Sequence, residues 1–354
     1  MSVQAVVILV AGVIFYVFRR IRPPPPKVCG TANGPPVTSP RIKLADGRHL
    51  AYRERGVPKD KARFRVVLVH GFDSSKDLYI PLSQEFMEEI GMYLLTFDRA
   101  GYGESDPDQK RTVKSAAFDI QELADRLELG NRFYLMGLSI GTHLVWSCMK
   151  YIPHRLAGVT LVVPVINFWW PAFPPELAQE AFKKQLKRDQ WKLWIAHHMP
   201  GLVYWWMTQR LFPYSSIMQR HPILHNPRDF ATIQAMSKFP NPDEHKIRQQ
   251  GEHESLYRDM ILHFGTWEFD PMELDNPFPN GEGSVHLWHG YADKLVPVEL
   301  QRYVAKKLPW IKYHEVPDGG HLMIHEGKLC EAMFRELCLG EEPTVARMAP
   351  TSST

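Results

Sequence analysis

Three residues of this chain, taken together, have the chemistry to drive a hydroxyl onto a carbonyl carbon. Ser139 lies in Gly137-Leu138-Ser139-Ile140-Gly141. A serine between glycines at this spacing suits a sharp strand-to-helix turn, because side chains at the flanking positions would strike the adjoining strand or helix. A serine hydroxyl is a weak nucleophile until a base takes its proton. That base needs a carboxylate to fix its tautomer and stabilise its charged form. His321, after Pro317-Asp318-Gly319-Gly320, and Asp293, after His289-Gly290-Tyr291-Ala292, supply the two groups. His314 and His325 compete for the role of base. The first alternates within a strand-like stretch and the second lies in a helix-like one, whereas His321 follows a glycine pair whose loop can carry it back over the serine. Asp318 competes for the role of acid but is too close in sequence to His321 to reach its ring easily.

The segments around these residues have the periodicities needed to hold them. Residues 132–136 are short, apolar and aromatic, as a buried parallel strand should be, and residues 142–151 contain no glycine or proline and predict a helix. Arg65-Val66-Val67-Leu68-Val69 is a continuous apolar strand that runs into His70-Gly71-Phe72. Leu94-Leu95-Thr96-Phe97 is another, followed by Asp98-Arg99-Ala100-Gly101-Tyr102-Gly103. Asp98 and Arg99 are expected to form a charged pair that holds this loop. Strands at 284–288 and 311–316 lead to the acid and the base, and Asp46-Gly47 turns a hairpin between residues 42–44 and 49–52.

Taken together, His70-Gly71-Phe72, Asp98-Arg99-Ala100-Gly101-Tyr102-Gly103, the pentapeptide around Ser139, Gly290-Tyr291-Ala292-Asp293 with Val296-Pro297, and Gly319-Gly320-His321 resemble the motifs of α/β-hydrolase-fold proteins. The resemblance covers roughly residues 41–339 and is nearest to the membrane-anchored plant branch of that superfamily. It implies an α/β fold with a mostly parallel sheet flanked by helices and an inserted helical cap. It also implies the chain order serine, aspartate, histidine, and an oxyanion hole made by the backbone N–H groups of Phe72 and Ile140. Ser139 stands where epoxide hydrolases and haloalkane dehalogenases carry an aspartate, which argues against their chemistry. The expected activity is that of a serine hydrolase acting on a carboxylic ester or related acyl compound. An acyltransferase using the same triad, or a ligand receptor on a hydrolase scaffold, are the alternatives. No metal or organic cofactor is expected.

The chain has 354 residues and a formal net charge of +3. It has no basic stripe interleaved with aromatics, so nucleic acid is not an expected partner. Cys29, Cys148, Cys330 and Cys338 lack metal-site spacing and suit free thiols in a reducing compartment. Residues 1–22 read as a membrane anchor: an apolar run over residues 5–18 precedes Arg19-Arg20-Ile21-Arg22. By the positive-inside rule this predicts a single-pass helix with the catalytic domain facing the cytoplasm, and the short span suits the thin endoplasmic-reticulum bilayer. Residues 23–40 read as a Pro-rich linker, loose after Pro26, and residues 341–354 as a disordered tail.

Between these ends the core is expected in two parts, 41–167 and 271–340, split by a helical cap over residues 168–270. The cap holds seven of the ten tryptophans, most of which are expected to pack its own helices. Phe168, Trp169 and Trp170 are the exceptions, expected to bind substrate because they follow a strand whose C-terminal end opens on the site. Lys183, Lys184, Lys187, Arg188 and Lys192 are expected to form a solvated basic face.

Overall fold

The continuous apolar runs become the centre of a sheet. The computed structural model describes residues 2–212, 215–219, 221–239 and 244–342. Its eight strands are β1 (Arg41–Lys43), β2 (His49–Gly56), β3 (Phe64–Val69), β4 (Met92–Phe97), β5 (Phe133–Leu138), β6 (Leu156–Val162), β7 (Val285–Gly290) and β8 (Ile311–Val316), in the spatial order β1-β2-β4-β3-β5-β6-β7-β8. The hairpin turned at Asp46-Gly47 pairs Ile42 with Leu50, and β2 runs antiparallel to β4. From β4 to β8 every pairing is parallel. Parallel strands need helical crossovers, which cover both faces of the sheet; this is why the central strands β3 to β6 are largely apolar and do not alternate, whereas β8 at the edge carries Lys312, His314 and Glu315.

Helix α1 (Val3–Ile21) precedes the sheet. On one face of the sheet, α2 (Gln84–Ile90) packs Phe86 and Met87 with Val66, Leu68 and Met136. On the other, α3 (Val113–Arg126) and α4 (Thr142–Tyr151) pack Ile120, Leu123 and Val145 with Val67, Leu95 and Leu135. Helices α2 and α3 carry local start or stop signals. Ser83 accepts from the Phe86 N–H at the start of α2, Gly91 ends that helix in the left-handed conformation, and Thr112 with Ser115 forms a capping box on α3.

Between β6 and β7 lie α5 (Pro175–Lys184), α6 (Lys187–His198), α7 (Val203–Thr208), α8 (Pro227–Met236), α9 (Glu244–Ile247) and α10 (Arg258–Phe264). These helices form the cap and enclose an apolar cluster of their own, in which Leu193, Met260 and Phe264 meet Ile140 and Tyr102 from the core. After β7, α11 (Val298–Lys307) and α12 (Gly327–Leu339) complete the two layers.

The N-terminal expectation is corrected. Among the described residues no helix is long and apolar enough to cross a membrane. The apolar run stops at Phe18, giving roughly 21 Å of helix at ~1.5 Å per residue against the ~30 Å of a hydrocarbon core. Arg19 and Arg20 fill the last turn of α1, and the helix lies beside α7 of the cap. The single-pass anchor, the membrane partner and the endoplasmic-reticulum placement derived from it therefore fall.

The stretch after the proline run is not loose either. Glu104 accepts from the N–H and hydroxyl of both Thr38 and Ser39, and the Lys27 N–H donates to the Gln250 carbonyl. Most of the expected tail, residues 343–354, lies outside the described residues.

Candidate active site

In a run of parallel strands the C-terminal ends share one edge, and loops leaving that edge can converge. Here β5 ends at Ser139, β3 at His70-Gly71-Phe72, β7 shortly before Asp293 and β8 shortly before His321. Ser139 sits at a φ of +52°, a conformation that costs a non-glycine residue about 1–3 kcal/mol. The crowding that holds it there is visible at its neighbours. A Cβ on Gly137 would lie 2.5 Å from Val145 Cγ2, and one on Gly141 would lie 2.5 Å from the His70 carbonyl oxygen.

The three residues singled out in the sequence come together. His321 Nε2 lies 2.9 Å from Ser139 Oγ, and His321 Nδ1 lies 2.8 Å from Asp293 Oδ2. Asp293 Oδ1 accepts from the N–H groups of Leu295 and Val296, so the carboxylate is fixed by the turn that follows it. Burial alone would push the Asp293 carboxyl up, but the His321 ring and these N–H donors outweigh it and hold it below its ordinary value. Burial likewise disfavours a charged His321, and the Asp293 carboxylate overcomes this and raises its pKa.

The competing histidines lie elsewhere. His325 bonds through Nδ1 to the Tyr79 carbonyl, and desolvation pushes its pKa down to about 4. His314 remains on β8 and faces Glu336 of α12.

Phe72, Ile140 and Phe168 line a cavity against Ser139, together with Leu193, Met260 and Phe264 from the cap. Of the three aromatics expected to bind substrate, only Phe168 is on this wall. Trp169 stacks on His197 with ring centroids 4.3 Å apart, and Trp170 packs against Trp267 and His143. Val165, Ile166 and Phe168 line the cavity just past the end of β6, and the Asn167-anchored loop turns Trp169 and Trp170 away from it. Lys192 also departs from expectation. It is buried, with Nζ 2.9 Å from both Asp189 Oδ1 and Ser215 Oγ, so it does not belong to a solvated face.

Asp98 and Arg99 do not form the expected pair with each other. Asp98 binds Lys76 and accepts from the Glu104 N–H. Arg99 reaches the other way, donating through Nη1 and Nη2 to Asp259 on α10 and through Nη2 to the Gly71 carbonyl at 2.9 Å. The same carbonyl lies 2.8 Å from His70 Nδ1, while His70 Nε2 accepts from the Arg99 N–H. This fixes the ring as the neutral Nδ1–H tautomer, in accord with a pKa lowered by burial and by the Arg99 charge. In a trans peptide the carbonyl and the next N–H point oppositely. Gripping the Gly71 oxygen therefore sets the direction of the Phe72 N–H.

Helix α8 supports the other side of the site. Asp229 Oδ1 accepts from the Leu322 N–H, and its carboxylate fills the space a side chain at position 320 would need. Asn226 donates to the carbonyls of Ala292 and Asp318, in the two loops that carry the acid and the base. The site-supporting roles of Asp229, Asn226 and Asp259 had no local signal in the sequence, since each reaches a residue 60 or more positions away, although Asn226 and Asp229 also cap the start of α8. Arg99 had one that was misread, a charged residue directly after a buried strand.

A mostly parallel sheet with flanking helices, and with Ser139, His321 and Asp293 gathered at one strand edge, describes a class of fold. Residues 66–332 match the model of the alpha/beta hydrolase family. The chain belongs to that family. It is 23% identical over 290 residues to the probable lysophospholipase BODYGUARD 2 of Arabidopsis thaliana, covering 77% of this chain and 58% of that protein. It is 24% identical over 285 residues to BODYGUARD 1 of the same plant, covering 78% and 59%. The chain thus spans under two thirds of the length of these relatives. Among solved structures, an esterase from Exiguobacterium antarcticum aligns with a TM-score of 0.56 at 16% identity, over 85% of this chain and 100% of that one. A thermophilic esterase from Thermogutta terrifontis aligns with a TM-score of 0.52 at 20% identity, over 84% and 97%.

Proposed function

We propose that the chain is a serine hydrolase that cleaves a carboxylic ester, or a related acyl compound, with an apolar acyl part. The observation that carries this reading is the contact of Ser139 Oγ with His321 Nε2 on the wall of an apolar cavity, with Asp293 behind the imidazole. In the first half-reaction His321 takes the hydroxyl proton as Ser139 Oγ bonds to the carbonyl carbon. The charge that moves to the carbonyl oxygen is held by the N–H groups of Phe72 and Ile140. The intermediate then collapses, and the alcohol leaves with the proton from His321. Water repeats the sequence on the acyl-enzyme: His321 takes its proton, and Ser139 departs with that proton restored. Asp293 keeps Nδ1 protonated and steadies the imidazolium in both halves.

The likeness to proteins described as esterases and as probable lysophospholipases supports ester chemistry. Phe168, Leu193 and Phe264 favour an apolar chain in the cavity. The test is labelling with a fluorophosphonate, alongside turnover of p-nitrophenyl esters of increasing acyl length. Ser139→Ala is expected to abolish both labelling and turnover. Equal labelling of the folded variant would remove Ser139 from the reaction.

A further inference from the structure

A second cluster of chemically competent side chains lies far along β7 and β8 from the serine. His286 on β7, His314 on β8 and Glu336 on α12 turn their polar atoms toward one another. His286 Nδ1 is 3.4 Å from His314 Nε2 and 3.2 Å from Glu336 Oε1, and His314 Nε2 is 3.0 Å from Glu336 Oε2. We propose that His286, His314 and Glu336 form a binding site for a divalent transition metal of the zinc class.

The distances are those the ion would set. Zinc bonds of about 2.0–2.1 Å in a tetrahedron place neighbouring ligand atoms about 3.3 Å apart. The donor set, two imidazoles and a carboxylate, suits zinc and cobalt and is poor for calcium or magnesium. Three further features favour a metal over a plain hydrogen-bonded clasp. Glu336 Oε2 is buried and faces His314 Nε2 at 3.0 Å without a well-aligned hydrogen bond. Ser284 Oγ lies 2.7 Å from His286 Nε2, placed to accept its proton and leave the Nδ1 lone pair free to ligate, the usual outer support of a metal-bound histidine. The ligands also come from three rigid elements, and Trp288 stacks on the His314 ring with centroids 4.3 Å apart, so His314 has little freedom to turn away. His286 and Glu336 are buried while the His314 side chain is 11% exposed, which leaves the approach on its side. Filled, the site would tie α12 to the two strands that lead to Asp293 and His321.

The test uses the full chain, stripped with chelator and titrated with cobalt(II), then with zinc. One equivalent of cobalt is expected to give the intense visible absorption of a tetrahedral site, zinc is expected to displace it, and zinc is expected to raise the Tm. His314→Gln, on the half-buried ligand, and Glu336→Gln are each expected to remove the absorption and the Tm response while circular dichroism stays that of the parent. Absence of the band and of any zinc-dependent Tm rise in the unmodified chain would overturn the proposal, whatever the variants do. So would a band that persists undiminished in folded His314→Gln, since the metal would then be held elsewhere.

Discussion

In the proposed reaction Ser139 depends on a proton acceptor whose strength is set by its neighbour. The His321 ring is held by Asp293 at 2.8 Å, and its pKa is raised because the carboxylate outweighs burial. The base must be neutral to act, so kcat/KM should fall with decreasing pH through a value above the ordinary ~6.5 of histidine. Asp293→Asn removes the larger raising influence, leaving the weaker one of Asp229 against burial, which lowers a histidine pKa. The residual activity should therefore keep its plateau to lower pH, while kcat falls by about 10⁴ through the wrong tautomer. A pH–rate profile of the variant checks this, and an acid limb that stays in place would remove Asp293 from its role. At the same scale, Gly137 and Gly141 were legible in the sequence through the spacing of the elbow, although what excludes a side chain is local only at Gly137, against Val145 and Thr142, and at Gly141 comes from the remote His70 and Val69 carbonyls. The orientation of Trp169 and Trp170 was not, because one further turn of backbone decides which side chain meets the cavity.

Elements act on the site through contacts between loops and cap. Arg99 joins the peptide before Phe72 to α10, and Arg111 joins the same carboxylate, so Asp259 serves two buried guanidinium groups. Arg99→Lys keeps a positive charge but cannot grip the two carboxylate oxygens and the Gly71 carbonyl from one planar fork. If the Phe72 N–H is an oxyanion donor, losing its orientation should lower kcat about tenfold to a hundredfold with KM nearly unchanged. Removal of such a donor outright costs about 10²–10³. Steady-state kinetics with a thermal melt separate the outcomes: a lower Tm with unaltered kcat would make Arg99 a packing residue only. Asp259→Asn would strand two buried cations and should destabilise by roughly 3–5 kcal/mol. Strand and helix positions in this layer followed from apolar runs and glycine-free stretches, since periodicity reports what an element must bury. The partners of Arg99 did not follow, because residues 99 and 259 are brought together only after the cap has folded back.

Across the whole molecule, the segment before β1 is part of the folded body. Glu104 is buried and receives four hydrogen bonds from Thr38 and Ser39, which hold its carboxyl below its ordinary value against the opposing effect of burial. Glu104→Ala should destabilise the protein by roughly 2–3 kcal/mol, in the range for hydrogen bonds to a charged acceptor. It should also open residues 23–40 to protease. Because the folded pKa is lowered, the clamp's contribution is present at neutral pH and should fade as pH falls below ~4.3 toward the folded value. Denaturant melts at two pH values and limited proteolysis measure both effects. Equal cleavage of parent and variant would show that the segment is not held.

The sequence by itself determined the sheet and pointed to the elbow and to the chain order of the candidate serine, aspartate and histidine. Each of these is written in short-range patterns: apolar runs that must be buried, glycines that must be absent of side chains, and a histidine and an aspartate in loops just past strand ends. It also suggested too much where composition alone was read, as with the apolar start of the chain, whose length falls short of a span, and the prolines after it, which do not show that Thr38 and Ser39 find an acceptor at Glu104. Only the tertiary structure decided which aromatic reaches the cavity, which carboxylate receives Arg99, how α8 braces the loops of Asp293 and His321, and that His286, His314 and Glu336 converge. Those outcomes depend on distances between residues remote in sequence, and such distances are fixed by how layers pack rather than by any pattern within a single segment.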